Sequence, residues 1–137
     1  MQTVLTYFAL IFAGMLSAQN SITITISNLA SDNGKAMIAL YNSEASFLGD
    51  PELGSIEVIT AHTATVTFND VPSGVYAISA FHDENENQKF DMILGLFPKE
   101  DYVNSNYAEG MFGPPTWDDA KFTLENEPLH FNLKMNH

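Results

Sequence analysis

The chain of 137 residues carries 17 acidic residues against five lysines and no arginine, a formal net charge of −12, and it has no cysteine. Phosphate contacts need clustered Lys and Arg, so this balance excludes nucleic acid as a partner and, for the same reason, adhesion to an anionic membrane surface. Any stability must also be reached without disulfides.

Met1–Ala18 contains no charged side chain, and Val4–Leu16 is apolar apart from Thr6. Leu16-Ser17-Ala18 ends the run on small residues before Gln19, which is the pattern of a secretory signal peptide. The apolar run falls short of the roughly 18 residues of a spanning helix, so cleavage is expected over anchoring. Gln19–His137 then remains as a single domain, secreted or periplasmic, with no membrane insertion after signal removal.

Ser21–Ser27 alternates isoleucine with hydroxylated residues, a half-buried strand whose Ile22, Ile24 and Ile26 should share one core. Asn28–Gly34 is a turn, tightest at Asp32-Asn33-Gly34. Lys35–Tyr41 is apolar on both faces and reads as a central strand. Asn42–Gly54 shifts to Ser, Asp, Pro and Gly around Phe47 and reads as a connection packed back onto a sheet. Ile56–Thr60 and Ala64–Phe68 are short strands around a turn at 61–63. Asp70–Gly74 is a Pro/Gly turn into the strand Val75–His82. Lys121–Leu124 and Leu129–Met135 close the chain around the turn Glu125–Pro128. With no sustained helical period, these seven short strands predict an all-β fold, an antiparallel β-sandwich.

Between Val75–His82 and Lys121 lies an acidic excursion far longer than the roughly 12–15 residues usual for a loop in a compact domain. It holds nine of the acidic residues, and also Phe90, Phe97, Tyr102, Tyr107, Phe112 and Trp117. Aromatics at this density argue for order: a cap across one end of the sandwich, aromatics inward, forming a satellite core. Gly113-Pro114-Pro115 is stiff, and Asp118-Asp119-Ala120 is expected to cap a helical turn.

The excursion opens with His82-Asp83-Glu84-Asn85-Glu86-Asn87-Gln88-Lys89-Phe90-Asp91. With Asp83 as position 1, oxygen side chains fall at positions 1, 3, 5 and 9: Asp83, Asn85, Asn87 and Asp91. Lys89 at position 7 offers only its carbonyl. A curled loop turns every second side chain inward, so a short segment can supply the several oxygens that Ca²⁺ needs at about 2.3–2.6 Å. Gln88 stands where an EF-hand has Gly and Leu94 where it has a bidentate Glu, so a closing carboxylate must come from elsewhere, Glu100 and Asp101 being nearest. The same segment also suits a metal-free loop held by Asx turns.

Val71-Pro72-Ser73-Gly74-Val75-Tyr76 through Asn87, with Gly95–Glu100, Ser105-Asn106 and Phe112–Ala120, resembles the signature of an exported bacterial family catalogued as domain of unknown function 2141. The resemblance covers nearly all of the mature chain and implies an exported β-sandwich with no established activity. Family members tend to have Gly where this chain has Glu86 and Gln88. More loosely, the Pro-x-Gly-x-Tyr turn followed by an Asp/Asn loop is similar to transthyretin-like and carboxypeptidase-regulatory-like sandwiches, which serve as accessory, adhesion or stalk modules.

His82, Asp83 and Ser105 are a Ser/His/Asp group on paper only, since no Gly-x-Ser-x-Gly elbow is present. No His-Glu-x-x-His motif offers zinc ligands, and His62, His130 and His137 are scattered and expected to be exposed. The expectation is therefore an exported, non-catalytic β-sandwich with a Ca²⁺-stabilised loop and a glycan, peptide or cell-envelope partner. The alternative is a small hydrolase or lyase seated under the 83–119 loop.

Overall fold

The computed structural model describes residues 20–95 and 97–136; the expected signal segment Met1–Ala18 lies outside the described residues, as do Gln19, Leu96 and His137. The strands are β1 (Ile22–Ser27), β2 (Lys35–Tyr41), β3 (Leu53–Val58), β4 (Ala64–Phe68), β5 (Gly74–Asp83), β6 (Met92–Ile93), β7 (Phe97–Pro98), β8 (Tyr102–Asn104), β9 (Phe122–Leu124) and β10 (Leu129–Lys134). A 3₁₀ turn at Ser105–Tyr107 and a short helix, α1 (Trp117–Ala120), lie between β8 and β9. Among the described residues no helix is long and apolar enough to cross a membrane.

Two sheets form the β-sandwich. One is three-stranded in the order β10-β1-β4; the other is five-stranded in the order β3-β2-β5-β8, with β9 also pairing to β5. Most pairings are antiparallel, but β10 runs parallel to β1, with Ile22 opposite Leu129 and Ser27 opposite Lys134. The period-two spacing of β1 has the expected consequence. Ile22, Ile24 and Ile26 are fully buried and meet Ile38 and Leu40 of β2 and Tyr76, Ile78 and Ala80 of β5 in one core. On the opposite face of β1, Thr23 and Thr25 reach Thr67 and Thr65 of β4 at 3.0 and 3.2 Å.

Strand β3 begins and ends earlier than its apolar pattern predicts. Its register with β2 starts at Leu53 opposite Leu40 and carries Gly54 opposite Ala39.

The excursion does not cap an end of the sandwich. It adds β8 alongside β5, packs on the outer face of the five-stranded sheet through Ala108 and Ala120, and leads into β9, which also pairs with β5. Ala77, which faces away from the main core, is covered by Ala108 and Ala120, with Phe47 and Trp117 packed around them. The Phe47 ring stands 5.5 Å from Tyr41 and 5.9 Å from Trp117, so the Asn42–Gly54 connection does return to the sheet. Further along β5, Phe90 packs on Phe81 and Tyr102 at 5.3 and 5.8 Å. The other aromatics do not turn inward. Phe97 is 64% exposed, Tyr107 55% and Phe112 100%. The outer face of one strand is too narrow to take six rings. Helix α1 is capped by Thr116, whose hydroxyl accepts the Asp119 N–H, while Asp118 and Asp119 occupy its first turn.

Two turns set the frame. Tyr76 donates its hydroxyl to the Pro72 carbonyl at 2.6 Å, which closes the Pro-x-Gly-x-Tyr corner at the start of β5. The turn before β4 places Ala61 and His62 at φ 53° and 61°, a conformation that costs an L-residue about 1–2 kcal/mol. Asp32 holds both, accepting the Ala61 N–H at 3.0 Å and the His62 N–H at 2.7 Å. The His62 N–H holds the Asp32 carboxyl below the usual range; desolvation opposes it, and the Ala61 N–H and the His62 ring add to the lowering.

We expect Tyr76→Phe to lower stability by about 1 kcal/mol in urea unfolding, the worth of one hydrogen bond. Because the folded-state value of Asp32 is depressed, its contribution is fully present above the unfolded value near about pH 4 and is lost as pH falls through the lowered value. The stability gap between wild type and Asp32→Ala should therefore be constant near neutrality and shrink in urea melts taken at progressively more acid pH.

Candidate functional site

Strand β5 delivers Asp83 to the start of the loop, flanked across β2 by Lys35. Its end is located by the Asp32-Asn33-Gly34 turn. Gly34 has φ 73°, and a Cβ there would sit 2.2 Å from the Asp83 carbonyl oxygen and 2.6 Å from the Glu84 Cα. Only glycine lets the two backbones approach so closely. His82 is fully buried beside it. Its Nε2 lies 2.6 Å from the Asn33 carbonyl, which can only accept, so the hydrogen sits on Nε2. The His82 backbone N–H donates to the Asp101 carbonyl at 2.9 Å. Its Nδ1 is buried without a hydrogen-bond partner, with Glu84 Oε1 at 3.6 Å.

From this anchor the loop curls on itself. Asp83, 1% exposed, accepts the Asn87 N–H at 3.2 Å and the Gln88 N–H at 2.8 Å. Asn85 Oδ1 accepts the Asn87 N–H at 3.3 Å, and Asn87 Oδ1 accepts the Lys89 N–H at 2.9 Å. These are the Asx turns anticipated for the segment. The amide groups of Asn85 and Asn87 each donate to the Asp91 carboxylate at 2.8 Å. Glu86 and Gln88 adopt φ 54° and 61°, the left-handed conformation that glycine takes without strain. Glu86 gains an ion pair with Lys35 at 2.9 Å, which is worth little because both groups are well exposed.

The structure thus gathers Asp83, Asn85, Asn87 and Asp91, with Lys89 on the same turn and exposed. Glu100, downstream, joins them: its Oε1 accepts the Asp91 N–H at 2.8 Å, while the Lys99 N–H donates to the Asp91 carbonyl at 2.9 Å. Glu100 Oε2 is buried and has no hydrogen-bond partner. Burial first, and then the charges of Asp91 and Asp83, push the Glu100 carboxyl above its usual range; the backbone N–H groups of Asp91 and Glu84 oppose this. The Glu84 N–H donates to the His82 carbonyl at 3.1 Å and makes no hydrogen bond to Oε2. Asp91 moves the other way, held low by the Asn87 and then the Asn85 amide. Among the described residues no group of three His, Cys, Asp or Glu side chains meets the geometry of a metal site by itself. Any cation here would depend on amide and carbonyl oxygens as well as carboxylates.

The other sequence candidates are placed apart. Ser105 is buried, accepting the Ile78 N–H at 2.9 Å and donating to the Ala120 carbonyl at 2.6 Å, so its hydroxyl staples the excursion to β5. His82 and Asp83 have their own partners, and the paper triad is not assembled. Asn106 donates to the Ala120 and Lys121 carbonyls at 3.2 and 2.9 Å, closing the C-terminal end of α1. His62 and His130 are exposed as expected. Gly34 is what sequence reasoning missed. Its Asp-Asn-Gly context signals a turn, but nothing local shows that the turn abuts a segment some fifty positions away.

Gly34→Ala should lower stability by more than about 2 kcal/mol, since the added methyl collides with backbone that cannot step aside. Gln88→Gly should instead raise it by about 0.5 kcal/mol by removing the cost of a left-handed L-residue. Urea midpoints at constant m-value check both.

Comparison with curated proteins finds no match to the chain. The family described as "Uncharacterized protein conserved in bacteria (DUF2141)" matches residues 24–132, from within β1 to within β10 and including the whole Asp83–Asp91 loop with Glu100, and the chain belongs to that family.

Proposed function

We propose that the protein is an exported, non-catalytic β-sandwich of a binding or cell-envelope accessory type, whose acidic loop is locked by Ca²⁺. Asp83, Asn85, Asn87 and Asp91 would hold the ion, with the Lys89 carbonyl and the Glu100 carboxylate completing its oxygens. One observation carries this reading: Glu100 Oε2 is buried without a partner next to a loop already holding Asp83 and Asp91. Asp83 and that Glu100 oxygen are buried beside a half-exposed Asp91, and carboxylates so gathered repel unless a positive charge stands among them, which a hard cation supplies. The ion would act by closing the base of the excursion, where Asp91 joins Lys99 and Glu100.

The second reading is a metal-free loop. It is favoured by the amides of Asn85 and Asn87, which already satisfy Asp91 and complete two Asx turns. A cation would have to displace the amide groups from Asp91, which limits the affinity. With three carboxylates and no bidentate Glu at position 12, a dissociation constant of about 10⁻⁴ M is expected, in the range of extracellular modules.

Thermal melts separate the two readings. At a free Ca²⁺ concentration ten times that constant, binding stabilises the fold by about 1.4 kcal/mol, a rise of about 5 °C in the midpoint. Mg²⁺ should give less, because it keeps its waters and demands a tighter octahedron. Asp83→Ala should abolish the Ca²⁺ shift, Glu100→Gln should reduce it, and Glu84→Ala should leave it intact. A wild-type midpoint unmoved by millimolar Ca²⁺, or shifts equal in all three variants, would establish the metal-free loop.

A further inference from the structure

The two sheets are joined along one side of the sandwich and open along the other. Tyr102 of β8 bridges to Asn136, just past β10, which closes one side. On the other side β3 and β4 are the last strands of their sheets, and each pairs with a single neighbour among the described residues. Strand β3 presents apolar side chains to solvent at this open edge: Ile56 is 49% and Val58 66% exposed. Its six residues include neither lysine nor proline, which commonly blunt an exposed edge. Such an edge offers a row of backbone N–H and C=O groups to a strand that can lie beside it.

The two faces of β3 define which strand that is. Residues opposite one another across a strand pair share a face. Ile56 stands opposite Met37 and Val58 opposite Lys35, whose charge is engaged by Glu86 at 2.9 Å. Ser55 and Glu57 stand opposite Ile38 and Ala36, which are core residues, so both point between the sheets. They are half-buried there, and the Ser55 hydroxyl donates to the Glu57 carboxylate at 2.5 Å. None of the ion pairs among the described residues includes Glu57. A carboxylate aimed inward at an edge repels an acidic strand and would be further desolvated by a neutral one. A cationic side chain neutralises it, so the same charge that guards the edge selects what can occupy it. The net charge of −12 acts in the same direction by drawing a cationic segment in.

We propose that β3 is a docking edge for an extended peptide segment of a partner protein, in which cationic and apolar side chains alternate. The segment adds a strand beside β3. Its apolar residues continue the row of Ile56 and Val58, and a lysine or arginine between them meets Glu57. Charge opposes a second copy of this chain, which would bring its own Glu57 to the edge. The edge shares no residue with the Asp83–Asp91 loop and needs no cation there.

The test is a ¹H–¹⁵N NMR titration of the chain, with Ca²⁺ and again without it, at about 0.15 M salt, where charges more than about 8 Å apart are largely screened. The probe is a blocked heptapeptide alternating valine with lysine, added up to about 1 mM. Saturable shifts should centre on the amides of Ser55, Ile56, Glu57 and Val58, and hydrogen exchange within β3 should slow as the new strand bonds to it. A peptide of the same composition with its valines and lysines in two blocks, and one alternating valine with glutamate, should each bind about tenfold more weakly. Glu57→Gln should weaken binding of the lysine peptide about threefold and Ile56→Lys about tenfold. Glu57→Lys should turn the preference to the glutamate peptide, and the two Glu57 variants carry the test if Ile56→Lys does not fold. The proposal is wrong if the alternating lysine peptide leaves β3 unmoved, if either control binds as well, or if the variants leave affinity unchanged. It is equally wrong if the β3 signals shift with protein concentration alone, which would mean that the edge pairs with a second copy.

Discussion

The approach of Gly34 to the backbone of Asp83 and Glu84 is the constraint on which the rest of this structure depends. At a Cβ separation of 2.2 Å there is no room for any side chain, so the two segments pack main chain to main chain. The neighbouring residues of the same turn use that proximity. Asn33 offers its carbonyl to the buried ring of His82, and Asp32 reaches the other way to hold the strained Ala61-His62 turn. One three-residue turn thereby fixes where β5 ends, where the acidic loop begins and how β4 is entered.

The excursion is ordered from both of its ends for different reasons. At its start the driving terms are polar: a buried carboxylate capped by backbone N–H groups, two Asx turns and the convergence on Asp91. At its far end they are apolar and hydrogen-bonded, with Ala120 and Ala108 pressed on Ala77 and Ser105 bridging β5 to α1. The small residues matter because the outer face of β5 leaves little depth between sheet and loop. Ser105 and Ala120 belong to the Ser105-Asn106 and Phe112–Ala120 motifs, and their packing and hydrogen bonds account for both.

The electrostatic problem of the chain is concentrated rather than spread. Most of its acidic side chains are solvated, where screening makes repulsion small. Asp83 is instead buried, next to a half-exposed Asp91 and Glu100, and one oxygen of Glu100 is left buried without a partner. The amides of Asn85 and Asn87 relieve Asp91 but cannot reach that oxygen's deficit. Asn104 Oδ1 is likewise buried without a hydrogen-bond partner, at an uncharged site.

Much of this was legible before any coordinates. The alternation in β1, the apolar faces of β2 and β5 and the turn residues determine the sandwich, because a period of two admits one burial pattern and Gly, Pro and Asn mark the reversals. The Asp83–Asp91 spacing likewise determines the inward set of side chains, since a curled loop turns alternate residues to one side. Tertiary structure decided the remainder. The parallel pairing of β10 with β1, the lie of the excursion on the outer face of β5, the choice of Glu100 for the carboxylate that meets Asp91, and the need for glycine at position 34 all join residues far apart in the chain. No local pattern encodes such distances, because each is settled by which distant backbone arrives alongside and how much room it leaves.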